Sequence, residues 1–431
     1  MTSSLERPPI AAIVRRHAED SAHLRHVRSR LIRSGQVRLF ELGRHDERIA
    51  AHLDGLAVAG DEGVAACVQA LAEPGRGVVF AAAVLALEGR DERLFEQLLG
   101  TAATSDHVRR GLRAAVGWVS ASRLRGTVHL LLTSTQSDRR ELGLAASRLH
   151  GTDPGNHLRR ALTDGPVPVR CEAMRCAGEH GLRDVLATVL EAIDDAHPAI
   201  AARAAITAYL IGDRGRAAAA LERLAVDPTK ADAGVRDEAC SLLLAGCEFL
   251  EGRQVVRRLA QSRPVAAALQ RRVIRACGWL GDAQFVPWLI DLMASPLHAR
   301  IAGESFALIT GADLVKLVLD RRAPDDAEGG PSDDPNDENV EPDADESLVW
   351  PDPVKVQRWW QAHAWRMPVD ARSFNGAPPS VAHCTTVLIG GAQRQRFVAA
   401  MHLALLGSGR PLFPVCAPAW RQQRLLARMT S

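Results

Sequence analysis

Val169–Gly181 reads VRCEAMRCAGEHG, and Leu269–Gly281, one hundred residues on, reads LQRRVIRACGWLG. Arg175 and Arg275, Cys176 and Ala276, Gly178 and Gly278, and Gly181 and Gly281 share the same offsets. Recurrence at fixed spacing marks a chain built from stacked copies of one supersecondary unit. The closing glycine can be followed outward through Gly89, Gly151, Gly181, Gly212, Gly281 and Gly311, at separations of 62, 30, 31, 69 and 30. The 62 spans two units with an unmarked turn near Ser120. The 69 spans two units and an insertion, placed at Asp227–Gly234.

Each unit carries two helical stripes. Val169, Ala173, Met174 and Ala177 fall on one; Val185, Leu186, Val189, Leu190 and Ile193 fall on the next. Gly181 stands where a helix end needs a left-handed residue. Pro166, Pro168, Pro198, Pro264 and Pro296 stand between units, where proline opens a helix but cannot continue one. Alternating β-branched runs and Asn-Gly turns are nearly absent. A hairpin cannot bury its apolar stripe alone, so its neighbours must cover it. The expectation is an all-α fold: a curved α-solenoid of about eight helical hairpins over residues 63–320, roughly 80 Å long at ~10 Å per unit.

The V-R-x-x-A-h-x-x-A-G-x-x-G run at Val169–Gly181 (h, apolar), with the L-x-x-L after it, resembles the HEAT-like repeats first described in phycobilin lyases. That resemblance implies a fold and little about activity, because such folds host many functions.

The ends differ from the middle. Residues 1–62 contain Leu39, Leu42, Ile49, Leu53 and Leu56 at helical spacing, expected as helices capping the first repeat. Residues 321–347 hold four prolines and eleven acids, which reads as a disordered acidic linker. It is expected to act as a solvated tether; a strap competing for the arginine-rich body is the functional alternative. Residues 348–431 hold five of the eight tryptophans and read as a small, compact, Trp-rich helical module. Asp352-Pro353 suits an N-cap and first helical residue. Val356, Trp359, Trp360 and His363 make an amphipathic face, and Gln393–Arg396 leads into a further helix, Phe397–Gly407, closed by glycine.

Together the ends resemble an uncharacterised bacterial HEAT-repeat family whose genes often lie in type VI secretion clusters. The matching pieces are DERIAAHLDGL at Asp46–Leu56, Trp359-Trp360, QRQR at Gln393–Arg396, and Pro418–Gln422. Arg372–Gly376 departs from the Arg-Tyr-Leu-x-Gly-like run expected there. The resemblance covers nearly the whole chain. It implies a secretion-associated accessory role and no catalytic residues.

Charge and chemistry narrow the function. The 53 cations and 51 acids look balanced, but residues 323–347 hold eleven acids and no base, so without them 40 acids remain and the rest carries +13. Only Lys230, Lys316 and Lys355 are lysines. Arginine grips phosphate well, and the solenoid also resembles that of HEAT-like DNA glycosylases, so a DNA-binding protein or glycosylase-like or lyase enzyme is the alternative. Against it, Arg109, Arg170, Arg175, Arg271 and Arg275 are interleaved with acids. His17, Glu19, His23 and His26 fall short of a metal site. His383-Cys384 are sequence neighbours that point apart, and no P-loop, G-x-S-x-G or dinucleotide fingerprint occurs. No cofactor is expected. The eight cysteines form no C-x-x-C pair and read as reduced, buried thiols.

The expected function is therefore a non-enzymatic protein–protein scaffold, cytoplasmic, with no membrane span and no export signal at its start. Its partner would be a type VI secretion component or effector. Arg and Trp most often anchor interfaces, which nominates Trp359, Trp360, Arg394, Arg396 and Arg421. The competing reading places Trp359 and Trp360 in the core of their own module.

Overall fold

A computed structural model describes residues 9–102, 105–163, 165–227, 229–261, 267–324, 343–368 and 370–430. The fold is all-α, with 22 α-helices and two two-residue strands among the described residues. It divides into two compact units. The boundary falls inside the array expected over 63–320, between His180 and Gly181. The module expected over 348–431 is also divided: residues 348–413 belong to the second unit and Pro414–Ser431 to the first.

The first unit begins with α1 (Ala11–Leu31), α2 (Leu39–Val58) and α3 (Asp61–Ala70). Then come α4 (Arg76–Gly89), α5 (Glu92–Ala102), α6 (Asp106–Trp118) and α7 (Thr127–Thr133). Next are α8 (Ser137–Leu149), α9 (Asn156–Thr163) and α10 (Val167–His180). Helices α4, α6, α8 and α10 pack in series, and α1 and α2 lie against α4. Ile49, Leu53 and Leu56 of α2 are buried in the core that α4 and α6 complete. Each such side chain contributes roughly 1.5–3 kcal/mol.

The second unit contains α11 (Leu186–Glu191), α12 (Pro198–Ile211), α13 (Arg216–Val226), α14 (Ala233–Gly246) and α15 (Phe249–Gln261). It continues through α16 (Ala267–Leu280), α17 (Val286–Leu292) and α18 (Ala299–Thr310). Helices α12, α14, α16 and α18 again pack in series. The segment placed as an insertion links α13 to α14, with Asp232 as N-cap accepting from the Val235 N–H. Strand β1 (Asp320–Arg321) pairs antiparallel with β2 (Trp350–Pro351), and α19 (Pro353–His363), α20 (Val381–Gly390) and α21 (Gln393–Leu405) follow. The last helix, α22 (Ala419–Thr430), belongs to the first unit.

The closing glycines do what their spacing predicts. Gly151, Gly181, Gly212, Gly281 and Gly311 all have positive φ. Gly89 ends α4 instead, and Arg90 takes the left-handed position with φ 56°. Most of the expected acidic tether, 325–342, lies outside the described residues. Its last acids are bonded: Asp345 is buried with both oxygens on Arg271 at 2.7 and 2.8 Å, and Asp343 accepts from Arg300 at 2.6 Å.

At Gly281 φ is +74°, and an added Cβ would collide with the Ser373 carbonyl oxygen. Gly281→Ala is expected to lose at least about 1–2 kcal/mol through the left-handed backbone alone. Gly89→Ala, with open space and helical φ, should be neutral or stabilising by up to about 1 kcal/mol. Urea unfolding followed by circular dichroism checks both.

Candidate interaction surface

A helix leaves its last four carbonyls without intrahelical partners. In the second unit, Arg372 meets that need for two helices. Its guanidinium donates to the Leu244 and Cys247 carbonyls at the end of α14 and to the Leu280 carbonyl at the end of α16. The following residues serve α16 and α18: Ser373 N–H donates to Gly281, its hydroxyl to Ile309, and Asn375 N–H to Leu308. Phe374 is buried against His402 and His383. Burial next to the Arg372 charge holds His402 neutral, its pKa down at about 3. The run Arg372–Gly376 is thus a clasp over helix ends, and Phe374 fills its core position without a hydroxyl.

The first unit uses the same device. Arg421 of α22 donates to Leu149 at the end of α8 and to Val119 just after α6. Burial and the neighbouring Arg424 and Arg28 charges pull its pKa down to about 10. Asp46 of α2, fully buried, accepts from Arg28 at 2.6 Å and from the Ala419 N–H at 2.8 Å. Arg28 in turn donates to the Cys416 and Ala417 carbonyls. Buried Gln422 donates to Val415 and Ala417, and Trp420 meets Trp118 edge-on at 4.6 Å. Two motifs that carry the family resemblance, Asp46–Leu56 and Pro418–Gln422, therefore meet here as packing.

The other nominated residues are also engaged internally. Arg396 is 0% exposed and donates to the Leu388 carbonyl and the Gln393 side-chain oxygen, both at 2.7 Å. One guanidinium nitrogen of Arg394 donates to both carboxylate oxygens of Glu304 at 3.0 Å. Trp359 meets Phe306 edge-on and stacks on His363. Trp359 and Trp360 are both half-buried against the core of α16–α18. They pack against repeat helices rather than within a separate module.

Arginines of the repeats bind carboxylates on the next helix. Arg113 of α6 reaches Glu141 of α8 and Glu172 of α10, and Arg148 of α8 reaches Glu172 and Glu179 of α10. Burial opposes the charge on Glu172, but Arg148 and Arg113 outweigh it and hold its carboxyl down at about 2. In the second unit Arg203 pairs with Glu238, and Arg272 and Arg275 share Asp237. Candidate chemistry finds little support in the geometry. Cys384 is buried with its thiol pushed up to about 11, while His383 bonds the Phe374 carbonyl. Burial likewise pushes Cys67 to about 11 and Cys240 to about 12. His17 and His52 approach at 3.0 Å, but no group of three metal-ligating side chains forms among the described residues.

One face of the second unit stands apart. Val315, Lys316, Leu317 and Val318 are consecutive and exposed. Val318 has φ +55°, an uncommon and strained choice for a β-branched residue. The Asp352 N–H donates to the Leu319 carbonyl, which places Val318 beside the start of α19. On α19, Val356, Trp359 and Trp360 face the core, so Val354, Arg358 and Ala362 form the outer stripe. The stripe ends at Trp365, which is 76% exposed. The Trp365 indole N–H donates to Ala362, and the Arg366 guanidinium lies 5.2 Å from its ring centre. Sequence reading passed over this face. Its signals were the V-K-L-V run and the presence of two of the three lysines, Lys316 and Lys355, near it.

No family model and no curated protein matches the chain. Among solved structures, an engineered protein crystallised by a structural genomics consortium is similar at 15% identity and a TM-score of 0.31, over 71% of this chain and 90% of that one.

Arg396→Ala is expected to cost about 2–4 kcal/mol, because it empties a closed site and strands the Leu388 carbonyl. Arg394→Ala removes a partly exposed pair and should cost under about 1 kcal/mol. Equilibrium urea unfolding of the two variants checks the order.

Proposed function

We propose that the chain is a non-enzymatic scaffold that binds a protein partner through the face running from Val315 to Trp365. The observation that carries this reading is that face: Val315, Leu317, Val318, Val354 and Trp365 are large apolar side chains left exposed within the second unit. Exposed apolar patches of this kind mark interaction sites, and Trp with Arg dominates binding energy where it is desolvated. The resemblance at the chain ends supports a cytoplasmic accessory role in type VI secretion, with a secretion component or an effector as partner. No helix among the described residues is long and apolar enough to cross a membrane.

This reading moves the contact residues. Arg396, Arg421 and Trp359 hold the fold, and Trp365 replaces them as the anchor. The DNA-directed alternative loses weight for a related reason. Many repeat arginines are already matched by carboxylates, and a matched arginine releases few counterions on meeting phosphate.

Trp365→Ala in the tagged full-length chain is expected to leave the melting temperature within about 1–2 °C, as an exposed side chain should, and to lose secretion components from affinity capture. Equal capture by both chains, or capture sensitive only to nuclease, contradicts the reading.

A further inference from the structure

Residues 343–348, DADESL, form neither helix nor strand, yet side chains from three helices of the second unit hold them. Arg300 of α18 donates to Asp343 at 2.6 Å. Arg271 of α16 donates to the two oxygens of Asp345 at 2.7 and 2.8 Å. Arg394 of α21 donates to the Ala344 carbonyl between them at 3.4 Å. Asp345 and Leu348 are buried, whereas Ala344 and Glu346 are exposed. The segment is seated as a strap, gripped through the two aspartates.

The arginines have other contacts that keep them in place. Arg271 also donates to the Leu297 carbonyl, the Arg300 guanidinium lies 4.8 Å from the Trp350 ring centre, and Arg394 is bonded to Glu304. The downstream end of the strap is fixed separately, because Trp350 and Pro351 pair with β1. Lifting residues 343–348 is thus a local opening that leaves the helices packed. It leaves no carboxylate bonded to Arg271 or Arg300 among the described residues, and such cations draw a replacement anion. The seat is also incompletely filled. Arg300 Nε, and Nε2 of His298, which is 7% exposed and adjoins Leu297, have no hydrogen-bond partner among the described residues. An occupant with further polar groups gains bonds that the strap leaves unmade.

We propose that Arg271, Arg300 and Arg394 form a docking site for a D-x-D segment of a protein partner, which Asp343–Asp345 fill in cis until that partner arrives. The seated strap defines the ligand: two carboxylates two residues apart, with a backbone carbonyl between them. One carboxylate replaces another at little intrinsic cost. The advantage of the strap is its effective concentration, on the order of millimolar. The site shares no residue with the exposed apolar face ending at Trp365 and does not rest on that reading.

The probe is a fluorescein-labelled peptide of the strap's own sequence, DADESLVW. It is titrated by anisotropy into the full-length chain, into the double variant Asp343→Asn, Asp345→Asn, and into that variant with Arg271→Gln added. The double variant is expected to bind the peptide about tenfold or more tighter than the wild type, and Arg271→Gln to cancel the gain. Its hydrogen exchange should rise at residues 343–349 and not elsewhere. Equal binding by wild type and double variant, binding by neither, or unchanged exchange at 343–349 overturns the proposal. The wild type supplies a check that needs no variant. The peptide at roughly millimolar concentration should speed exchange at 343–349, and the same peptide with asparagine at both aspartates should not. Displacement by both peptides alike, or by neither, also overturns it. Light scattering that finds the wild type dimeric, and monomeric with peptide, would give the site to a second copy and overturn the partner's role. Trp365→Ala is expected to change none of these results.

Discussion

The structure depends on how the carboxyl ends of its helices are finished. A helix in the middle of a stack ends beside its neighbours, where water is a poor substitute partner for the last carbonyls. Glycine at positive φ turns the chain but leaves acceptors open. Arg372 closes two such ends in the second unit, and Arg421 closes ends at α8 and beside α6 in the first. Each guanidinium brings positive charge to the negative pole of a helix dipole, which favours it there. Arginine suits this work better than lysine because its planar fork reaches several carbonyls at once.

The same preference explains the scarcity of lysine better than a phosphate-binding role does. Arginines inside the stacks meet carboxylates of the next helix, as Arg113 meets Glu141 and Glu172. Their burial requires planar, multiply bonded pairing, since an unmatched buried charge is costly. Lysine survives where its charge stays in water, and Lys316 and Lys355 lie at the exposed face that ends at Trp365.

The helical character of the fold was legible because it is written locally. The 3.6-residue stripes, the glycine spacing and the Asp352-Pro353 start each depend on a few neighbouring residues, and each appears in the structure. The C-terminal segment was not legible. Its tryptophans suggested a core of its own, yet Trp359 packs on Phe306 and Trp420 on Trp118, partners 53 and 302 residues away. Arg396 and Arg394 are two residues apart and equally cationic in sequence; a half-turn of helix puts one in the core and the other on Glu304. Nothing in composition separates an arginine that caps carbonyls from one that anchors a partner. The exposed stripe of α19 was hidden for the converse reason: Val354, Arg358 and Ala362 carry no local signal of their own, and the paired tryptophans beside them lie on the buried side.

Hydrogen exchange of the full-length chain and of Arg372→Gln addresses the central claim directly. Loss of the Arg372 bonds should speed exchange in the last turns of α14 and α16 and in residues 370–377, with the first unit unchanged. Equal protection in the two proteins, or a loss spread evenly over both units, would contradict the view that arginine caps on helix ends hold each stack together.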